Sequence, residues 1–388
     1  MREIIEGLLA IENVANTVVC EREDVNRAIL LGLLCGEHVL IYGPPGTAKS
    51  LTARLFLSGV SGCKTFIKQM TRQMPEEAVF GPLDIPRWRK EGVYVFKLEG
   101  GLAQAHLALL NEIYDSSDAL LRSLLEVLNE REFSRSLANV VKCPLHCCVA
   151  TSNFFRDEGD AQAVSDRFLI RVQVDSLEEA KNRVAMLQNT IAHGRMPEID
   201  DGDAINFAAL KKMSAAIEEV SVPDEILELY EKVYTDYKGR TQNKFLSDRR
   251  FAWSLRLVQA GAYLDGRDVA KESDIEFAKY GLVFVGKQSE EDAWQEAKGN
   301  VLQFVEEFNN IATFKAMVEK VRRKLNGSTP SELPELHRTL MRIREGMSDR
   351  KVFTNPDVER GYKSLDGDLD TLIQECVNKI TPDAMAAL

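Results

Sequence analysis

His38-Val39-Leu40-Ile41-Tyr42-Gly43-Pro44-Pro45-Gly46-Thr47-Ala48-Lys49-Ser50-Leu51 sets the architecture of this chain. A short apolar run of strand character enters a glycine- and proline-rich bend, and the bend closes on Lys-Ser at the head of a helical pattern. From Gly43 to Ser50 the spacing is a complete G-x-x-x-x-G-K-S in the strand–loop–helix setting that gives the motif meaning. Glycines there let successive backbone N–H groups curl around an anion, and the helix N-terminus adds the positive end of its dipole. Gly43, Pro44, Pro45, Gly46, Thr47 and Ala48 are the expected phosphate cradle, with Leu51 in the helical turn that follows. Lys49 is expected to reach the β- and γ-phosphates of a bound triphosphate, and the Ser50 hydroxyl to ligate Mg²⁺.

Further strands are expected at Thr65–Gln69, His106–Leu110, His146–Thr151 and Phe168–Val174, each buried in character and separated by helix-length segments. That pattern predicts an α/β fold, a mainly parallel sheet covered by helices on both faces. Pro86–Leu98 and Arg131–Cys143 are hairpin candidates. From Leu177 to about Phe284 the chain reads as four or five helices, with Ser247 an N-cap and Val269–Tyr280 the last of them. Apolar residues then recur at Val301, Phe304, Val305, Phe308, Ile311, Phe314, Val318, Val321 and Leu325, one stripe of a long helix. Thr329-Pro330-Ser331-Glu332 forms a capping box before a second stripe, Leu333 to Met347, and Asn355-Pro356 opens a third helix carrying Leu365, Leu369, Leu372, Cys376 and Ile380. The expected parts are an αβα nucleotide-binding domain (1–176), a helical lid (177–285) and a helical C-terminal extension (286–388).

The second apolar strand ends in Asn111-Glu112, where a P-loop sheet supplies its metal-binding and water-activating groups. Glu112 is placed to polarise the attacking water. Asn111 stands where an Asp normally holds Mg²⁺ through its water shell. An amide accepts a hydrogen bond there but brings no negative charge, which predicts weakened metal affinity with nucleotide binding retained.

With these motifs ordered along the chain, the sequence resembles AAA+ ATPases of the MoxR family, nearest its RavA-like branch, over roughly residues 15–285. The resemblance implies that Val18-Val19-Cys20-Glu21 helps hold adenine, Cys20 standing where a glycine is usual. Met70–Glu77 and Phe80–Leu83 resemble the lead into the helix-2 insert, which the Pro86–Leu98 hairpin would form. Arg131–Cys143 resembles the hairpin before sensor 1, and Ala150-Thr151-Ser152-Asn153 resembles sensor 1 itself, with Asn153 orienting the water. By the same resemblance Arg167 is the arginine finger, with Arg171 the second choice. Arg249 is the sensor 2 residue of the lid, with Arg250 an alternative. The family implies ATP and Mg²⁺ as ligands, a head-to-tail hexameric ring, a von Willebrand factor A (vWA) domain partner and a protein client.

Composition narrows the alternatives. Of 388 residues 45% are apolar and 28% charged, and no run approaches the ~18 residues of a membrane span. Residues 1–10 carry no secretory signal pattern, and the seven cysteines are odd in number and scattered, as in the reducing cytoplasm. A net charge of −11 argues against a nucleic-acid motor. A nucleotide-gated scaffold with little turnover remains the alternative that Asn111 supports. Cys143, His146, Cys147 and Cys148 read as a structural strand, and Arg87-Trp88-Arg89-Lys90 as a solvated tip.

Overall fold

The structure, a computed structural model, describes residues 2–92, 96–134, 140–156, 158–194, 204–241, 243, 246–329, 332–348 and 356–379. Its strands are β1 (Val39–Tyr42), β2 (Val60–Ser61), β3 (Thr65–Gln69), β4 (Leu107–Asn111), β5 (Glu132–Ser134), β6 (Val140–Lys142), β7 (Cys147–Ser152), β8 (Ile170–Gln173) and β9 (Ile205–Asn206). Five of them form one parallel sheet in the order β3-β4-β7-β1-β8. Leu40 in β1, between the central strand β7 and the edge strand β8, pairs with Ala150 on one side and Arg171 on the other. Central strands β4 and β7 are buried along their whole length, which is why their residues read as near-continuous apolar runs without alternation.

The helices are α1 (Arg2–Val18), α2 (Glu23–Cys35), α3 (Lys49–Ser58), α4 (Glu77–Phe80), α5 (Ile85–Glu91), α6 (Asp118–Glu130), α7 (Gly159–Arg167), α8 (Ala180–His193), α9 (Phe207–Glu218), α10 (Asp224–Arg240), α11 (Asp248–Leu264), α12 (Lys279–Leu282), α13 (Gln288–Leu325), α14 (Leu333–Ser348) and α15 (Pro356–Lys379). The fold is therefore a P-loop αβα sheet domain followed by lid helices and C-terminal helices. The core over one sheet face gathers Leu110, Ile113, Leu121, Leu124, Ala150 and Phe168. Burying each of the larger ones contributes about 1.5–3 kcal/mol.

The expected hairpin at Pro86–Leu98 is instead a helix followed by a single bridge, Leu83 to Phe96. Asp84 caps it by accepting from the Arg87 N–H, Pro86 sits in its first turn, and Gly92 ends it with φ 67°. Those are helix start and stop signals, and they outweigh the turn character of the segment. Residues 93–95 and 135–139 lie outside the described residues, but β5 and β6 do pair antiparallel within Arg131–Cys143.

Two compact units divide the chain, Met1–Trp294 and Gln295–Leu388. In the second, Val318, Val321, Leu325, Leu336, Leu340, Leu369, Leu372 and Cys376 form a core of their own, as the helical stripes predict. The Thr329–Glu332 cap is partly formed, since Glu332 accepts from the Thr329 N–H at 2.8 Å. The side chains of Phe304, Val305 and Phe308, and residues 355 and 380, lie outside the described residues.

Candidate nucleotide site

β1, β4 and β7 end side by side, and the bend after β1 opens above them, in the crevice at the carboxyl ends of the strands where open α/β sheets bind ligands. Gly43 has φ 153°, and a Cβ there would lie 1.9 Å from the Val174 carbonyl oxygen, so only glycine lets the bend pass this close to the end of β8. Gly46 (φ 81°) and Ala48 (φ 66°) are also left-handed. Ala48 is the N-cap of α3 and offers no side-chain acceptor to its first N–H groups. Those donors face the bend, as an anion site requires.

Lys49 is buried, and its Nζ donates to the carbonyls of Gly43 and Pro44, each at 2.7 Å, and to Asn153 Oδ1 at 3.1 Å. Burial lowers its pKa, against the pull of the Glu112 carboxylate, so an incoming polyphosphate would find a cation short of anionic partners. Ser50 Oγ donates to Asn111 Oδ1 at 2.6 Å, and Thr151 Oγ1 donates to the same atom at 3.2 Å. Glu112, held at φ 54°, accepts from the Asn153 N–H at 3.0 Å. The structure thus brings Lys49, Ser50, Asn111, Glu112 and Asn153 together from three strand ends. The hydroxyl of Ser50, the amide oxygen of Asn111 and the Glu112 carboxylate are an all-oxygen donor set, which fits a hard cation such as Mg²⁺.

Beside the bend lies a cavity of about 430 Å³ walled by Val18, Val19, Cys20, Gly46, Thr47, Ala48 and Leu51 on one side and by α8 on the other. It has the size and apolar character a base requires. Two groups in its wall carry no sequence motif. Arg22, buried, donates from Nε to the Thr47 carbonyl at 3.1 Å and from Nη2 to the carbonyl of Asp175, just past β8 and 153 positions on from Arg22, at 2.6 Å, tying the bend to that strand's exit. Asn189 donates to the carbonyls of Thr17 and Val18 at 2.6 and 3.1 Å. Arg22 directly follows Val18–Glu21 in sequence, but nothing local signals so distant a partner.

The four candidate arginines separate sharply. Arg171 is fully buried in β8 with its guanidinium 4.1 Å from the Phe284 ring centroid, so it has no path to a second chain. Arg250 is buried and donates to the carbonyls of Leu169, Phe168 and Gly281, which makes it a structural tie between sheet and lid and overturns it as a sensor. Arg167 and Arg249 share one carboxylate, Asp166, at 3.0 and 3.5 Å, and Arg249 stacks over Trp253. Neither lines the cavity beside the bend. Arg250→Ala should strip three carbonyls of their donor and cost about 3 kcal/mol or more in denaturant unfolding, while Arg249→Ala should stay within about 0.5 kcal/mol. Equal effects would contradict this division.

The cysteine-rich strand is structural. Burial pushes the Cys143 and Cys148 thiols up to about 11 and about 12 and holds His146 down at about 4, and no group of three metal-ligating side chains occurs among the described residues.

Two family models match the chain. Residues 6–215 match a MoxR domain described from MoxR–vWA–β-propeller ternary systems, and residues 221–291 match an AAA lid domain. The chain belongs to the MoxR family of AAA+ ATPases. The MoxR match spans every residue of the bend, Asn111, Glu112, Asn153 and Arg167, and the lid match spans Arg249. Among relatives, an uncharacterised protein of Methanocaldococcus jannaschii is 30% identical over 72% of this chain and 71% of its own length. A MoxR1 chaperone of Mycobacterium tuberculosis is 32% identical over 42% of this chain and 43% of its own. A crystal structure of a candidate ATPase from Cytophaga hutchinsonii superposes with a TM-score of 0.57 at 17% identity, covering 77% of this chain and 94% of that one. That last likeness speaks for the fold.

Proposed function

We propose that this MoxR-family chain binds ATP with Mg²⁺ and hydrolyses it as a head-to-tail, hexameric ring that remodels or matures a client protein. The observation that carries the reading is the meeting of Lys49, Ser50, Asn111, Glu112 and Asn153 at three adjacent strand ends. Glu112 would take a proton from the water that attacks the γ-phosphorus, Asn153 would orient that water, and the bond to the bridging β,γ-oxygen would break to release ADP. Mg²⁺, when bound, neutralises charge on the β- and γ-oxygens. Lys49 would exchange the two backbone carbonyls for those same oxygens. Arg167 and Arg249, paired on Asp166 away from this cavity, would act on the nucleotide of the next subunit, which makes hydrolysis depend on assembly.

A vWA-domain partner, and with it a β-propeller protein, is proposed from the ternary systems in which the matching MoxR domain is described. The RavA-like placement rests on motif spacing alone. The three-part division at 176 and 285 is proposed on the same footing. All seven cysteines are free, which supports a reducing compartment, the cytoplasm, and no helix of the described residues is long and apolar enough to cross a membrane.

The scaffold reading keeps one specific support. Asn111 gives Mg²⁺ an oxygen without a charge, and that oxygen is already shared by two hydroxyls. Steady-state hydrolysis separates the readings: Glu112→Gln should remove turnover while nucleotide binding survives, and Asn111→Asp should lower the half-saturating Mg²⁺ about tenfold. Absence of Glu112-dependent turnover, with the vWA partner present, favours the scaffold; DNA- or RNA-stimulated turnover would favour the nucleic-acid motor.

A further inference from the structure

Glu21 and Arg22, between α1 and α2, hold the two walls of the nucleotide cavity. Glu21 stands at φ 52°, a left-handed backbone that a non-glycine residue keeps only where its surroundings impose it. Arg22 is bonded to the bend through the Thr47 carbonyl. Glu21 takes hold of the opposite wall instead: its carboxylate accepts from the Glu178 N–H at 2.9 Å, the Glu179 N–H at 3.1 Å and Asn182 Nδ2 at 2.8 Å, all at the head of α8. The N-cap residue of α8, Glu179, makes no side-chain capping bond of its own, and its carboxylate pairs with Lys181. The cap therefore comes from a residue 158 positions earlier. The Asn182 amide and the Glu178 N–H hold the Glu21 carboxyl below the usual carboxylate range, so it is charged at neutral pH and complements the positive end of the helix dipole.

We propose that Glu21 is a positioning residue for nucleotide, fixing α8 as the base-side wall of the cavity while Arg22 beside it fixes the phosphate-side wall. This role rests on the reading that triphosphate fills the bend and its base the adjoining cavity. α8 brings Arg183, Met186, Asn189 and Thr190 to that cavity, yet none of its described residues is buried. A helix with so little packing is held where it stands by directed hydrogen bonds, from Glu21 at its head and from Asn189 to the Thr17 and Val18 carbonyls near its other end. Glu21 itself is not among the residues that wall the cavity, so it acts on the ligand through the helix and not by contact. Loosening its grip should release the base wall and leave the bend, which Arg22 holds, as it was. Only the base-dependent share of affinity should then fall.

Titration calorimetry of the full chain tests this with two probes in Mg²⁺, a slowly hydrolysed ATP analogue and inorganic tripolyphosphate, which carries phosphates and no base. Glu21→Asn suits the left-handed backbone but is one methylene shorter, so the cap is lost. It is expected to weaken the ATP analogue about tenfold, the size of a lost cap, and to leave tripolyphosphate within about twofold of wild type. Asn182→Ala, which cuts the same contact from the α8 side, should weaken the analogue about threefold. The double variant should be no weaker than Glu21→Asn alone, since both changes break one contact. Wild-type affinity for the analogue in Glu21→Asn, an equal loss of both probes, or additive losses in the double variant each overturn the role. A wild-type chain that binds neither probe overturns the phosphate reading of the bend instead, which separates the two failures.

Discussion

Lys49→Ala should abolish ATP binding while leaving the fold intact. Its ammonium is buried among the Gly43 and Pro44 carbonyls and Asn153 Oδ1, with burial lowering its pKa, so the unliganded protein draws little stability from keeping it charged there. Its role would lie with the polyphosphate, where one cation inside a cradle of N–H donors contributes a charge-assisted contact worth about 1.5–3 kcal/mol or more in a site shielded from water. Titration calorimetry with ATP should show affinity lowered by at least ~100-fold, and a thermal melt without nucleotide should match wild type. ATP affinity near the wild-type value would contradict the phosphate cradle.

Arg167→Ala should do the reverse, sparing binding and removing assembly-dependent turnover. The residue lies outside the cavity beside the bend, and its side chain is 20% exposed and salt-bridged to Asp166. Removing that pair should cost little stability, about 0.2–1 kcal/mol. An arginine supplied from another subunit typically speeds phosphoryl transfer by ~10³-fold or more, so turnover of the assembled variant should fall to background. Unchanged turnover would move the role to Arg249, since Arg171 is enclosed in the sheet.

Much of this was legible in the sequence because the decisive elements are buried on both faces. β1, β4, β7 and β8 start or stop within two residues of expectation, since a strand sealed on both sides reads as an apolar run with polar ends; β3, an exposed edge strand, falls on the expected residues through its Thr-Phe-Ile strand character instead. The bend from Gly43 to Ser50 was legible as a bend because its glycine spacing answers to backbone geometry. Three features were not. The helix at Ile85–Glu91 was masked by glycine and proline on either side, although Asp84 and Pro86 announce it. Arg249 and Arg250 are adjacent in sequence, and only the phase of α11 against Phe168 and Gly281 decides which is enclosed. Arg22 acts through Asp175, a partnership set by the folding of the whole sheet domain.

The central claim, that triphosphate in the Gly43 bend is completed by a cation from a second copy, is tested most directly by mixing two inactive variants. Glu112→Gln chains retain Arg167, and Arg167→Ala chains retain Glu112, so a mixed assembly contains interfaces in which an intact Glu112 faces an intact Arg167. The account predicts that hydrolysis, absent from either variant alone, returns on mixing to roughly a quarter of the wild-type rate, the share of interfaces expected if subunits combine at random. A mixture as inactive as its components, under conditions where wild-type chains assemble and turn over, would contradict it.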